Sequence, residues 1–447
     1  MAASRPYVVK ITDMHFSVSL LSVALLAGCA AHSAKPDPDA NANANANANA
    51  NARASLQTTQ TPQETQNTAS ASHDAAFADW LKEFRSSARA AGIGESTLAR
   101  SLDNVSFLPR VIELDRAQPE FTRAVWDYLD RTVSAQRVAM GREMLQRVRS
   151  EAPVVLQQQQ TVPPEVVVAI WGMESNYGSN FGNTSTVDAL ATLGFEGRRA
   201  SWARNELLAA LKIVERGDIA PEQMIGSWAG AMGQTQFLPS SFLAYAIDGD
   251  GDGRRDIWNS LPDVVASTTN YLAKSGWQAG QPWGVEVRLP ASFDYGRADP
   301  SVVRSATEWA ADGMTTVDGS GLPELPNASV LLPAGARGPA FLVGANFRAI
   351  LKYNNSTSYA LAVGSLSQQI AGGPPVMTPW PRDMLPLSRA ETVRMQEALG
   401  ARGFSSGAAD GLFGPATQSA LRAYQRSAGL TADGFPNAAL LRLLLQP

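Results

Sequence analysis

Residues Ala169 to Asn183 read AIWGMESNYGSNFGN, and the interpretation of the whole chain turns on them. An apolar run (Val166, Val167, Val168, Ile170) leads straight into one carboxylate, Glu174. Ser175, Asn176 and Tyr177 follow, and then two glycines, Gly178 and Gly182. A buried helix that ends in a lone Glu at a Gly-rich polar loop can build a general acid, because low-dielectric surroundings disfavour the ionised form. The same pattern also fits a glutamate that only decorates a helix end, and the stretch alone does not choose. Pro163 and Pro164 open the helix, and Glu165 sits in its first turn, where the helix dipole favours a carboxylate. Glu165 therefore reads as structural, and Glu174 is the residue of chemical interest.

Composition narrows the chemistry. A length of 447 residues suits two or three domains. With 17% charged residues, a net charge of -4 and no basic stripe, the chain lacks the footprint of a nucleic-acid binder. Its histidines, His15, His32 and His73, all precede the first expected globular segment, and its one cysteine is Cys29. From Asp74 onward there is neither, which excludes Ser-His-Asp and Cys-His mechanisms, histidine or thiolate zinc sites and disulfides. Carboxylates, hydroxyls, amides, Lys and Arg remain.

Phe16 to Ala27 is apolar but short for a membrane span. It runs into Leu26-Ala27-Gly28-Cys29, which resembles a bacterial lipobox, so residues 1–29 are expected to be a lipoprotein signal with Cys29 as the lipidated residue. Either Met1 or Met14 fits as the start. Ala30 after the cysteine implies, by resemblance to bacterial sorting patterns, the periplasmic face of the outer membrane. Residues 30–73, with an Asn-Ala alternation from Asn41 to Ala52, have almost no large apolar side chains and are expected to form a disordered tether.

Beyond it the spacing predicts a mainly helical unit over 74–372. Phe77, Trp80, Leu81 and Phe84 recur at helical intervals, and Pro119 is expected to open a helix with Phe121, Val125, Trp126 and Leu129 inward. Further helices are expected over 201–215, 261–274 and 347–353. Between Trp283 and Leu342 short β-prone pieces alternate with Gly and Pro, which predicts a small irregular β portion. Residues 373–386 read as a linker. Residues 387–447 read as a separate unit with a weak repeat, Asp410-Gly411 and Asp433-Gly434 each preceding a Pro, with Leu421, Tyr424 and Leu430 as core.

A second motif, Gly226 to Phe242, reads GSWAGAMGQTQFLPSSF. Its Gly and Ala let backbone approach a ligand closely. Ser227, Gln234, Thr235 and Gln236 offer neutral hydrogen-bonding groups suited to sugars, although tight helix packing would use the same small residues. Taken with WGMESNYG, with QPEFTRAVWDYLDRTVSAQRV (118–138) and with VGANFRAILKYNNSTSYALAV (343–363), the chain resembles the membrane-bound type B lytic murein transglycosylases over 74–372.

That resemblance implies a lysozyme-like, α-rich fold acting on peptidoglycan glycan strands. It implies Glu174 as the sole acid/base, with Ser227 and Gln236 lining the cleft and Tyr271, Tyr353, Asn354 and Tyr359 shaping sugar subsites. It implies cleavage of the MurNAc-GlcNAc β-1,4 bond with a 1,6-anhydro product and no cofactor in the catalysis. A hydrolytic muramidase on the same fold, or a non-catalytic wall-binding lipoprotein, are the other readings. The 387–447 unit resembles a three-helix peptidoglycan-binding domain. Wall-synthesis partners are left open.

Asp248 to Asn259, DGDGDGRRDIWN, has the spacing of an EF-hand loop. Asp248, Asp250, Asp252 and Asp256 fall at positions one, three, five and nine, and Arg254 offers a carbonyl at seven. Asn259 replaces the bidentate Glu at twelve. A structural calcium ion and a metal-free Asx-rich turn both fit.

Overall fold

Apolar residues recurring three and four apart build helices over about half of the described residues. The structure, a computed structural model, describes residues 63–117 and 123–446. Cys29, the expected tether up to 62, Pro119 and Phe121 lie outside them.

The helices are α1 Gln63–Ala90, α2 Glu95–Leu102, α3 Pro109–Arg116, α4 Val125–Thr132, α5 Ala135–Glu151, α6 Pro153–Gln158, α7 Pro164–Ser175, α8 Thr186–Glu196, α9 Ala200–Glu215, α10 Pro239–Tyr245, α11 Leu261–Lys274, α12 Ala306–Ala311, α13 Ala345–Tyr353 and α14 Thr357–Ile370. Those of the C-terminal unit are α15 Arg389–Ala401, α16 Pro415–Ser427 and α17 Ala438–Leu445. A two-stranded ribbon pairs β1 Thr184–Ser185 with β2 Ile225–Gly226. An antiparallel sheet, in the order β4-β3-β6-β5, joins β3 Gly284–Arg288, β4 Thr315–Thr316, β5 Ser329–Leu331 and β6 Ala340–Val343.

The centre of the helical unit is α7. Every residue from Val166 to Ser175 is buried, as expected of a helix that is apolar on all sides. It lies among α5, α11 and α14. Burying each Val or Ile here contributes about 1.5–3 kcal/mol. Gly141 and Gly172 make room for the Tyr177 side chain, since a Cβ on Gly141 would fall 2.7 Å from its hydroxyl and one on Gly172 2.6 Å from its ring. The Tyr177 hydroxyl then donates to the Arg137 carbonyl at 2.8 Å, tying α7 to α5.

Three sequence expectations are corrected. Helix α1 begins at Gln63, eleven residues before Asp74, over a stretch whose Gln, Glu and Ala favour a helix although it lacks the apolar spacing that marks one. His73 consequently belongs to the folded unit: its ring packs on Phe107 and Phe195, and its Nε2 lies 3.0 Å from Glu196. Trp126 is buried, but in a cluster with Ala124, Ala334 and Met384 rather than in the main core that takes Leu129.

The C-terminal unit has its own core, which includes Met395, Leu399, Leu421, Tyr424, Leu440, Leu441 and Leu444. Leu430 is 39% exposed, because it follows the left-handed turn at Gly429. The repeat is visible as matching clasps. Gln396 donates to Asp410 and accepts from the Gly411 N–H; Gln425 does the same with Asp433 and Gly434.

Candidate active site

Glu174 sits in the last turn of α7, where the chain reverses. Asn176, Tyr177 and Gly178 take φ of 49°, 59° and 79°, three left-handed residues in succession. Two of them are not glycine, a conformation that costs about 1–2 kcal/mol per residue. The turn is held from outside. Ser175 Oγ donates to the Gln234 carbonyl at 2.8 Å, and Trp171 Nε1 donates to Gln234 Oε1 at 2.9 Å. Gln234 Nε2 donates onward to the Trp258 carbonyl at 2.7 Å. Gln234, expected to offer its amide to sugars, has both ends committed inside the protein.

The small residues of the second motif serve close backbone approach. A Cβ on Gly182 would meet the Gly226 carbonyl at 2.0 Å, and one on Gly226 would meet the Ala231 carbonyl at 1.9 Å. This contact holds the loop after Glu174 against the 226–237 segment.

Glu174 is 7% exposed. Burial pushes its carboxyl up to about 8, and the Tyr359 hydroxyl, which donates to Oε1 at 2.5 Å, partly opposes that rise. Among the described residues no second carboxylate perturbs it. The groups that feel its charge are phenols: Tyr128, Tyr271, Tyr353 and Tyr359, each of whose own ionisation is suppressed chiefly by burial. A carboxyl so placed is protonated at neutral pH and can donate a proton.

The expected sugar-subsite residues divide by what their polar atoms do. Tyr271 donates to the Lys352 carbonyl at 2.5 Å and Tyr353 to the Thr235 carbonyl at 2.6 Å, with the two rings 4.6 Å apart. Both are buried, and their hydroxyls are committed to the protein's own backbone. Gln236, at φ 51°, donates to the Phe181 and Gly233 carbonyls at 3.0 and 2.9 Å, while its Oε1 has no partner. Asn354 Oδ1 and Thr235 Oγ1 are likewise buried and unpartnered. Unmade hydrogen bonds of this kind cost about 1–3 kcal/mol each until a ligand supplies them. Ser227 Oγ accepts from the Ala231 N–H at 3.1 Å, which leaves its proton free to donate. None of the described hydrogen bonds of Ser227 or Gln236 reaches Glu174.

Sequence reasoning missed Tyr128. It stands beside the residues expected to face inward on α4, and only the helix's packing against α14 brings it close enough to Glu174 to feel that residue's charge.

In the acidic loop, Asp248, Asp250 and Asp252 bring one carboxylate oxygen each within 4.8 Å of the others. Asp256 is turned to the N–H groups of Trp258 and Asn259, both at 2.9 Å, and the Asn259 amide donates back to Asp256. The structure thus gathers three of the expected ligands and pairs Asp256 and Asn259 with each other. Asp263, fully buried, accepts from the Gly249 N–H at 2.7 Å and the Asp256 N–H at 2.5 Å and knits the loop to α11.

Residues 76–368 match the family described as Transglycosylase SLT domain, and 388–444 match Putative peptidoglycan binding domain. The chain belongs to the transglycosylase SLT family. The chain is 37% identical over 217 residues to membrane-bound lytic murein transglycosylase B of Escherichia coli, a match covering 47% of this chain and 57% of that relative. The chain thus spans a little over half the length of that curated relative. SltB3 from Pseudomonas aeruginosa, solved with NAG-anhNAM-pentapeptide, is 50% identical, covers 83% of this chain and 99% of its own, and superposes with a TM-score of 0.80. The E. coli lytic transglycosylase Slt35, solved with calcium, is 31% identical over 66% of this chain and 92% of its own, with a TM-score of 0.55. The mainly helical, lysozyme-like SLT fold with its C-terminal peptidoglycan-binding unit is therefore the one expected from the sequence. Among the described residues, no helix is long and apolar enough to cross a membrane.

Proposed function

We propose that this SLT-family protein cleaves the MurNAc-GlcNAc β-1,4 bond of peptidoglycan without water, using Glu174 alone. The observation that carries this reading is a buried Glu174, hydrogen-bonded by Tyr359, on which no second carboxylate among the described residues acts. Ordinary glycosidases need two carboxylates, one as acid and one as base or nucleophile. Here one group must serve twice. Glu174 donates its proton to the glycosidic oxygen, and the GlcNAc side leaves as an alcohol. The substrate's own N-acetyl oxygen stabilises the cation-like anomeric carbon. Glu174, now a carboxylate in a low-dielectric site, takes the proton of the muramic 6-hydroxyl as that oxygen closes on the anomeric carbon. The product is a 1,6-anhydro sugar, and Glu174 ends protonated, as it began.

In this account Tyr359 orients Oε1, and Tyr271 and Tyr353 form a rigid aromatic wall. The unpaired oxygens of Gln236 and Asn354 accept from sugar hydroxyl or acetamido N–H groups, and the Ser227 hydroxyl donates. No cofactor enters these steps. Asp248, Asp250, Asp252 and the Arg254 carbonyl suit a hard cation such as calcium, which would stiffen the loop. Asp256 and Asn259 would first have to give up their mutual pairing. Lipidation at Cys29 and attachment to the outer membrane are part of the same proposal. They rest on the sequence before residue 30 and agree with the membrane-bound description of the E. coli relative.

Purified murein incubated with wild type and Glu174→Gln tests the reading. Wild type should release anhydro-ended fragments, each one water lighter than the muramidase product, and the variant should release none. Fragments with hydrated ends would favour the hydrolase, and binding without release would favour a wall-binding role.

A further inference from the structure

Residues 373–386 contain no helix or strand, yet they are fastened at several points. The N–H groups of Met377 and Thr378 donate to the Glu286 carboxylate at 2.7 Å each. Arg382 makes a two-pronged pair with Asp130 on α4, at 2.6 and 3.1 Å. Arg337 holds Asp383 at 2.9 and 3.1 Å. Trp380 lies with its ring 6.2 Å from that of Trp126, in an apolar cluster with Ala124, Ala334, Met384 and Phe435.

Phe435 comes from the C-terminal unit. That unit is itself held to the β portion, where Asp433 accepts from the Ala336 N–H at 2.9 Å and Arg422 donates to the Ala298 carbonyl at 2.8 Å.

The grip falls on one side of α4. At about 100° per residue, Trp126 and Asp130 share a face, and Tyr128 lies about 160–200° from both. Tyr128 and Val125 pack on the main core, Leu129 is buried in it, and α4 lies against α14, which carries Tyr359. One face of this two-turn helix is therefore held by residues 380–384, and the other packs on the main core and on α14, whose Tyr359 donates to Glu174. We propose that Trp380 and Arg382 are positioning residues: by gripping the outer face of α4 they hold its inner face, with Tyr128, on α14, whose Tyr359 hydrogen-bonds Glu174, and so keep water from the acid. In the Trp126–Trp380 contact Trp126 is buried and Trp380 partly so, and the pair joins the two segments through apolar packing. The Arg382–Asp130 pair is half exposed, so it fixes register more than it adds stability.

This rests on reading Glu174 as the acid. The titratable groups its charge reaches are Tyr128 from α4, Tyr271 from α11, Tyr353 from α13 and Tyr359 from α14, with Arg137 from α5 acting on Tyr128. Letting α4 swing away would hydrate the carboxyl and favour its ionised form.

The test uses full-length Trp380→Ala, Arg382→Ala and the milder Trp380→Phe and Arg382→Lys. Leu98→Ala, a fully buried site on α2, serves as a control for general destabilisation. Two readouts are taken. One is the alkaline limb of kcat/KM on murein. The other is the Glu174 carboxyl titration by infrared difference against Glu174→Gln, which needs no turnover and so stands even if the proposed activity fails.

Trp380→Ala should move both midpoints down by about one pH unit or more as water reaches the carboxyl. Arg382→Ala should move them less, the milder variants least, and Leu98→Ala not at all. Midpoints unchanged in Trp380→Ala, or equally shifted in Leu98→Ala, would overturn the proposal. If the alanine variants do not fold, a Trp380→Phe midpoint identical to wild type would overturn it.

Discussion

Replacing Glu174 with Gln should make the protein more stable than wild type in alkali and change little in acid. The carboxyl stands at about 8 in the folded protein, against an ordinary value of 4.5. Below pH 4.5 it is protonated in both states and adds no pH dependence. As pH rises past that point the unfolded chain gives up its proton while the folded chain keeps it. Folding is then progressively disfavoured, until the folded carboxyl also ionises near 8. Each unit of separation is worth about 1.4 kcal/mol, so the wild type forfeits up to about 5 kcal/mol across this window. Gln stays neutral throughout and still offers Tyr359 an acceptor. Urea unfolding of both proteins at pH 5 and pH 8.5, followed by tryptophan fluorescence, reads the difference. The gap between variant and wild type should widen by several kcal/mol at the higher pH. An identical gap at both values would refute the claim that burial keeps this carboxyl neutral.

Two further outcomes follow from the same geometry. Tyr359→Phe removes the hydrogen bond that opposes the rise, so Glu174 should titrate above 8 and the alkaline limb of kcat/KM should move up, at a stability cost of about 1–3 kcal/mol for the acceptor left without its partner. Calcium should raise the melting temperature of the wild type and leave that of Asp250→Ala unchanged; no shift in the wild type would count against a metal in the acidic loop.

Much of this site is legible because its chemistry sits in short contiguous runs. An apolar helix that ends on one carboxylate announces its own burial, since Val166 to Ile170 leave α7 no polar face to turn to water. The density of Gly around 178–182 and 226–233 likewise signals that two backbones touch. What stayed hidden depends on long-range partners. Gln234 reads as a sugar ligand until Trp171 and Trp258 are seen at its two ends, 63 and 24 residues away. Trp126 reads as core from spacing alone, and the side it faces is settled by Trp380, which a linker-like sequence would not be expected to supply. Tyr128 is masked because helical periodicity says which residues share a face but not what that face meets. The early start of α1 escaped because low hydrophobicity predicts the absence of a core, not the absence of a helix.

The account stands most directly on cleavage of murein in heavy-oxygen water, with mass analysis of the released glycan ends. A single buried acid working through ring closure predicts no label at any newly formed muramic terminus. Heavy oxygen at those termini would mean that water attacks the anomeric carbon, and the one-carboxylate mechanism would be wrong.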